Sequence, residues 1–230
     1  MLDQAIRFGA ILALPEFAGE GTILEVGSGS QGISSFLFNK VVGVDVVFTD
    51  TPATGLMAVR ASALHLPLRN CSFHRVVCSD MMEHLTALER PAALQELLRV
   101  TKGFLFIACP CDAGARRTDE RLMKLYHWLG IRPPEWLEEH LLKRIPDSQE
   151  IEGLLSENRV RWKVVVGESA TAHFIVSLLI SSRGLNRFWE GIFSGRPGRA
   201  KHLGGLALLR HKSHYRKLWI IHCGFPLSRE

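Results

Sequence analysis

The sequence predicts an α/β protein built on a doubly wound, mostly parallel sheet. Three observations carry that expectation. Short, nearly continuous apolar runs alternate along the chain with segments of helical period. A glycine-rich turn, Gly27-Ser28-Gly29-Ser30-Gln31-Gly32, directly follows the first of these runs, Ile23-Leu24-Glu25-Val26. The next run, Val41-Val42-Gly43-Val44-Asp45, ends in a carboxylate. Parallel strands covered by helices on both faces read as unbroken apolar runs rather than alternating ones. Regular alternation of strand and helix then points to a doubly wound sheet.

Taken in chain order, strands are expected at Thr22–Val26, Val41–Val46, Met57–Arg60, Arg75–Ser79, Phe104–Cys109, Arg161–Val166 and Leu218–His222. A helix is expected at Gln31–Asn39, after the glycine turn. Between Val46 and Gly55 the turn formers Thr49, Asp50, Thr51 and Pro52 leave too little chain for a helical crossover, so a loop is expected there. Arg90–Val100 reads as a helix with Pro91 in its first turn. Further helices are expected at Thr118–Leu129, Pro134–Lys143 and Ser148–Ser156. The last of these opens on Asp147-Ser148-Gln149-Glu150, with acids placed for its positive end. His173–Ile180 is strongly apolar but too short to span a bilayer, and reads as a core helix or as one lying on a membrane surface.

The 230 residues are 47% hydrophobic, enough for one sizeable core, so residues 1–230 are expected to form a single domain. Five irregularly spaced cysteines and the lack of an export signal favour reduced thiols and a cytoplasmic location.

A strand, a turn too tight for side chains and a second strand ending in an acid describe a nucleotide pocket, in which the acid accepts hydrogen bonds from ribose hydroxyls. Gly27-x-Gly29-x-x-Gly32 formally fits a dinucleotide fingerprint, which leaves a nicotinamide or flavin open. Glu25 argues for a different ligand. A carboxylate two residues before the first glycine opposes a pyrophosphate and suits a cationic amino-acid moiety. S-adenosylmethionine has an ammonium, a sulfonium and a ribose, and no phosphate.

At this point the chain resembles the class I S-adenosylmethionine-dependent methyltransferases, in particular the small-molecule group with an E-x-G-x-G first motif. A second block runs from Leu64-His65-Leu66-Pro67 through Ser72-Phe73-His74 to Asp80-Met81-Met82-Glu83-His84-Leu85. It is similar to that group's "LPF…SFD…EHL" stretch, and the likeness extends over residues 22–110. The resemblance implies a Rossmann-like sheet of seven strands with the last one antiparallel. It also implies S-adenosylmethionine as cofactor, held by Glu25, Gly27, Ser28, Gly29, Gly32, Asp45, Ser62, Ala63 and Asp80. The cofactor core would then occupy residues 20–110, the acceptor-selecting region 112–217 and the final strand 218–223. The chain departs from the pattern at Gln31, where a glycine is usual and which implies a turn shifted by one residue, and at Ser62 and His74, where aspartates are usual.

The sulfonium is an activated methyl donor, so the protein must mainly align the reactants and exclude water. A base is needed when the acceptor is protonated. His84 is the candidate, oriented by Glu83 or Asp80. Asp80 is the other candidate catalytic residue, through a substrate hydroxyl or the methionine part of the cofactor. Cys109-Pro110-Cys111 sets a cysteine beside a proline, as in enzymes with a covalent cysteine nucleophile, but reads better as a buried strand end. A lone Cys-x-Cys lacks zinc spacing, so no metal is expected. His202, His211 and His214 are expected to be solvated.

Trp128, Ile131, Pro133, Pro134, Trp136 and Leu137 read as an apolar lid or as core. Residues 183–217 hold nine Arg or Lys against Glu190 alone, a net +8 in a chain that totals +5. Such a stretch fits a solvated face, a nucleic acid, an anionic membrane or an acidic acceptor. With Trp189 and Phe193 and the apolar run before it, segment 173–217 is read as a possible peripheral membrane contact. The function expected is methyl transfer to oxygen on a small glycan, lipid-linked or isoprenoid-type acceptor. Ribose methylation of RNA and a catalytically silent scaffold are the alternatives.

Overall fold

The structure is a computed structural model that describes residues 2–180 and 214–224. Its elements are α1 (Leu2–Leu12), β1 (Ile23–Val26), β2 (Val41–Asp45), β3 (Leu56–Arg60), β4 (Phe73–Ser79), α2 (Arg90–Val100), β5 (Thr101–Pro110), α3 (Asp112–Trp128), α4 (Glu135–Leu142), α5 (Ser148–Glu157), β6 (Arg161–Ser169), α6 (Ala170–Ile180) and β7 (His214–His222). The seven strands form one sheet in the order β3-β2-β1-β4-β5-β7-β6. β1 to β5 pair in parallel, while β7 runs antiparallel to both β5 and β6, as the resemblance implied.

Alternate strand residues feed two cores. Val77, Phe106, Ala108, Leu218 and Ile220 pack with α1, Phe17, Phe36 and Val176 of α6. Their neighbours Val76, Cys78, Leu105, Ile107 and Trp219 pack on the other face with Leu94 and Leu97 of α2 and Ile151 and Leu155 of α5. A third cluster joins α3 to α4 through Leu122, Tyr126 and Leu137. It also takes in Phe174 and Leu178, so α6 is packed from two sides as a core helix.

Two helices differ from expectation. Gln31–Asn39 forms only a 3-10 turn at Ile33–Phe36. The hydroxyls of Ser34 and Ser35 both donate to the Gln31 carbonyl, at 3.0 and 2.7 Å, and occupy an acceptor that a growing helix needs. The face left bare is covered by α1, which was not among the expected helices. Its Phe8 ring lies 5.9 Å from that of Phe36. Between β2 and β3 the chain is a loop, as expected, and that flank is open: Val46 and Met57 are 57% and 55% exposed.

Arg75 fixes the N-terminal connection to the sheet. Buried in β4, it donates to the carbonyls of Phe17 at 2.7 Å, Gly19 at 2.8 Å and Gly21 at 2.9 Å. Its guanidinium also lies 5.3 Å from the centre of the Phe17 ring. Lysine cannot reproduce this fork. Arg75→Lys is therefore expected to lower stability by about 2 kcal/mol, and Arg75→Ala by more, in urea unfolding followed by circular dichroism.

Candidate active site

The strand order reverses between β1 and β4, and ligands of open α/β sheets bind at such a switch point, beyond the carboxyl ends of the strands. Here the glycine turn leaves β1. The Gly27 amide donates to Val44 O at 2.8 Å, which carries the turn across the end of β2. Asp45 then ties the turn down: its Oδ2 accepts from Gly29 N at 2.7 Å and its Oδ1 from Val47 N at 3.2 Å. Gly27 has φ of +80°, and a Cβ on it would come within 2.9 Å of Met81 Cβ, so that position requires glycine.

Glu25 lies beneath the turn. Its Oε2 accepts from Ile33 N at 2.8 Å, and a Cβ at Gly32 would collide with that same oxygen. The turn therefore closes at Gly32, one residue beyond the usual position, as Gln31 implied. Burial raises the Glu25 pKa to about 8, against the opposing pull of the Ile33 amide and Arg7.

A cavity of about 400 Å³ opens beyond these strand ends, and Gly27, Asp45, Ser62, Ala63, Asp80 and His84 all help line it. Glu25, Ser28, Gly29 and Gly32 are not part of its lining. They build the turn instead. His74 lies at the opposite end of its strand, with Nδ1 3.1 Å from Thr22 Oγ1, outside the cavity lining.

Asp80 follows β4 with φ of 51°, a left-handed conformation uncommon outside glycine. Both its oxygens face Arg216: Nε donates to Oδ1 at 2.7 Å and Nη2 to Oδ2 at 2.8 Å. Arg7 Nε makes an ion-pair contact with Oδ2 at 2.8 Å, without the alignment of a hydrogen bond. Burial pushes the Asp80 pKa up, but Arg216 and Arg7 outweigh it and hold the carboxyl at about 2. Arg216 also pairs with buried Glu168, which His173 approaches at 3.4 Å. Burial alone would weaken the charge on Arg216, and the two carboxylates more than reverse that.

These groups, with Trp136, His140 and Tyr215, line a second cavity of about 220 Å³. The two cavities share two residues, Asp80 and His84. His84 is oriented by neither Glu83 nor Asp80, as was expected; its Nδ1 instead meets Glu139 Oε1 of α4 at 3.2 Å. Of the expected lid, Trp136 lines this cavity and Leu137 is core, whereas Trp128 is 81% exposed.

Several expectations need correction. Arg216 and Lys217 are not part of a solvated basic face. Arg216 is buried in the network above, and Lys217 pairs with Asp112 at 2.8 Å and donates to Ser148 Oγ at 2.8 Å. The rest of the basic segment, with Trp189, Phe193, His202 and His211, lies outside the described residues. His214 is half-buried rather than solvated. Cys109 is fully buried, and burial pushes its thiol pKa far above the usual value, which leaves no thiolate for nucleophilic attack.

The raised Glu25 pKa has a consequence for stability. Between about pH 4.5 and 8 the folded protein holds a proton that the unfolded chain releases, so stability falls as pH rises through this window. Urea midpoints measured from pH 5 to 8.5 are expected to show that decline, and Glu25→Gln to flatten it.

Residues 24–107 match the family model described as "Methyltransferase domain". No curated protein matches the chain in sequence. Solved structures do match in fold. A SAM-dependent methyltransferase of Thermotoga maritima, described as a possible histamine N-methyltransferase, aligns with TM-score 0.55 and 16% identity over 95% of this chain and 91% of its own. The magnesium protoporphyrin IX methyltransferase of Synechocystis PCC 6803, with bound SAH, aligns with TM-score 0.53 and 12% identity over 96% of this chain and 82% of its own. The geranyl diphosphate C-methyltransferase of Streptomyces coelicolor A3(2), in complex with Mg2+, geranyl diphosphate and S-adenosyl-L-homocysteine, aligns with TM-score 0.52 and 12% identity over 96% of this chain and 79% of its own. Over residues 24–107 the chain thus matches a methyltransferase domain, and as a whole it has the fold of the class I S-adenosylmethionine-dependent methyltransferases.

Proposed function

We propose that the protein transfers a methyl group from S-adenosylmethionine to a hydroxyl of a small polar acceptor. The observation that carries this reading is the junction of the two cavities at Asp80 and His84. The larger cavity has the residues a nucleoside needs. The backbone amides on Asp45 leave each of its oxygens with further acceptor capacity, which suits the two ribose hydroxyls. Ser62 and Ala63 line the part of the wall where the adenine ring would lie. When bound, the cofactor supplies a methyl group on a positively charged sulfur.

The protein's own contribution is placement. Asp80 is held by Arg216 and Arg7, so it marks a fixed point between cofactor and acceptor. His84 has its Nδ1 occupied by Glu139, which leaves Nε2 to meet the acceptor at the same junction. Trp136 helps wall the smaller cavity and keeps water from the reacting atoms. The many ionisable groups around that cavity favour a polar, glycan-like acceptor over an isoprenoid tail. Arg216 and Lys217 are spent inside the fold, which removes two of the nine cations that spoke for a membrane or RNA partner.

Calorimetric titration with S-adenosylmethionine tests this reading, with NAD as control. Micromolar binding is expected, weakened about tenfold to a hundredfold in Asp45→Ala through loss of charged hydrogen bonds. Absence of binding, or preference for NAD, would overturn it.

A further inference from the structure

We propose that Glu83, His84 and His140 form a divalent transition-metal site on the wall of the smaller cavity. One potential ligand atom from each lies within 4.8 Å of the other two, and all three residues line the 220 Å³ cavity. Ligands around one ion, each about 2.1 Å from it, sit roughly 3–3.5 Å apart, so a small side-chain adjustment closes the set.

The independent observation is Glu83. The residue lies in the 3-10 turn Met82–His84 and is 2% exposed, and among the described residues neither of its carboxylate oxygens has a hydrogen-bond donor in another residue. A carboxylate stripped of water and given no partner is costly, and such groups are normally paired or coordinate a metal. Among the described residues the cations nearby act on it only at a distance, since Arg216 pairs with Asp80 and Glu168 and Arg7 with Asp80.

The histidines are prepared as ligands are. His140 is nearly buried, and its Nδ1 meets Asp119 Oδ2 at 3.2 Å. Asp119 is fully buried and is fixed in turn by Tyr215 Oη, which donates to Oδ1 at 3.0 Å. His84 Nδ1 meets Glu139 Oε1 at 3.2 Å. Each ring thus has Nδ1 held by a carboxylate, and among the described residues Nε2 has no hydrogen-bond partner, the arrangement that fixes tautomer and orientation in metal-bound histidines. Two imidazoles and one carboxylate suit zinc, cobalt, manganese or iron(II), with coordination positions left open toward the cavity.

On the methyltransferase reading, which this role rests on, the open positions would take an oxygen of the acceptor at the junction with the cofactor cavity. An acceptor hydroxyl bound there would release its proton to water more readily, leaving the oxygen ready for the methyl group. His84 would then serve as a ligand and positioning group rather than as the base.

The test uses untagged, EDTA-treated full-length protein titrated with Co2+, read by visible absorption, and with Zn2+ in competition. Saturable 1:1 binding is expected, with d–d bands of a four- or five-coordinate ion. Glu83→Gln and His140→Ala should each weaken it by more than about a hundredfold, and Asp119→Asn by about tenfold to a hundredfold. Glu83→Gln is nearly isosteric and removes an unpartnered buried acid, so the metal-free variant should melt no lower than wild type. That separates loss of the site from loss of the fold. Lack of 1:1 binding, or binding that survives both Glu83→Gln and His140→Ala, would overturn the proposal. Titration of the metal-free protein with S-adenosylmethionine reads the methyltransferase assignment separately.

Discussion

One buried cation organises this molecule. Arg216 sits inside the sheet's C-terminal half with Asp80 on one side and Glu168 on the other. A guanidinium taken out of water is tolerable only where its donors are met, and two carboxylates meet them here. Because Asp80 follows β4, Glu168 lies at the end of β6 and Arg216 lies in β7, this contact ties β4 to two strands that come much later in the chain. Arg7 brings α1 into the same group through Asp80. The left-handed backbone at Asp80 is held by these bonds, and that conformation turns the chain after β4 past both cavities.

The lining of the larger cavity was legible in the sequence because its logic is local. Gly27, Asp45, Ser62 and Ala63 lie on strand ends or in the connections that follow them, and strand ends are marked by apolar runs that stop. The same local reading misplaced Glu25, whose position beside the glycines was right but whose partner, the Ile33 amide, could not be inferred without the turn's path. The smaller cavity was not legible. Asp80 and Arg216 are 136 residues apart, and nothing near Arg216 announces a buried charge except that it stands just before the apolar run Leu218–Ile221 of β7. Glu83 and His140 come together only because α4 packs beside the turn after β4.

The helices failed for opposite reasons. The turn after Gly32 looked helical by position, but two serines capped its first carbonyl and stopped it. α1 was overlooked because its polar stripe is short: Asp3, Gln4 and Arg7 lie in its first half and are followed by the run Phe8-Gly9-Ala10-Ile11-Leu12, which has no polar residue to mark a helical period. The two misreadings are linked, since α1 covers the surface that a longer helix after β1 would have covered.

The sheet order has a bearing on how the protein is made. β7 is the last of the described strands in sequence yet lies between β5 and β6, and it brings Tyr215 and Arg216 with it. Residues 26–85 supply the whole lining of the larger cavity, whereas the smaller one draws on residues from Asp3 to Arg216. On the ribosome, the elements of the larger cavity emerge well before the strand that completes the smaller one. Synthesis therefore separates the two cavities in time: the smaller one has no complete wall until Tyr215 and Arg216 have been translated.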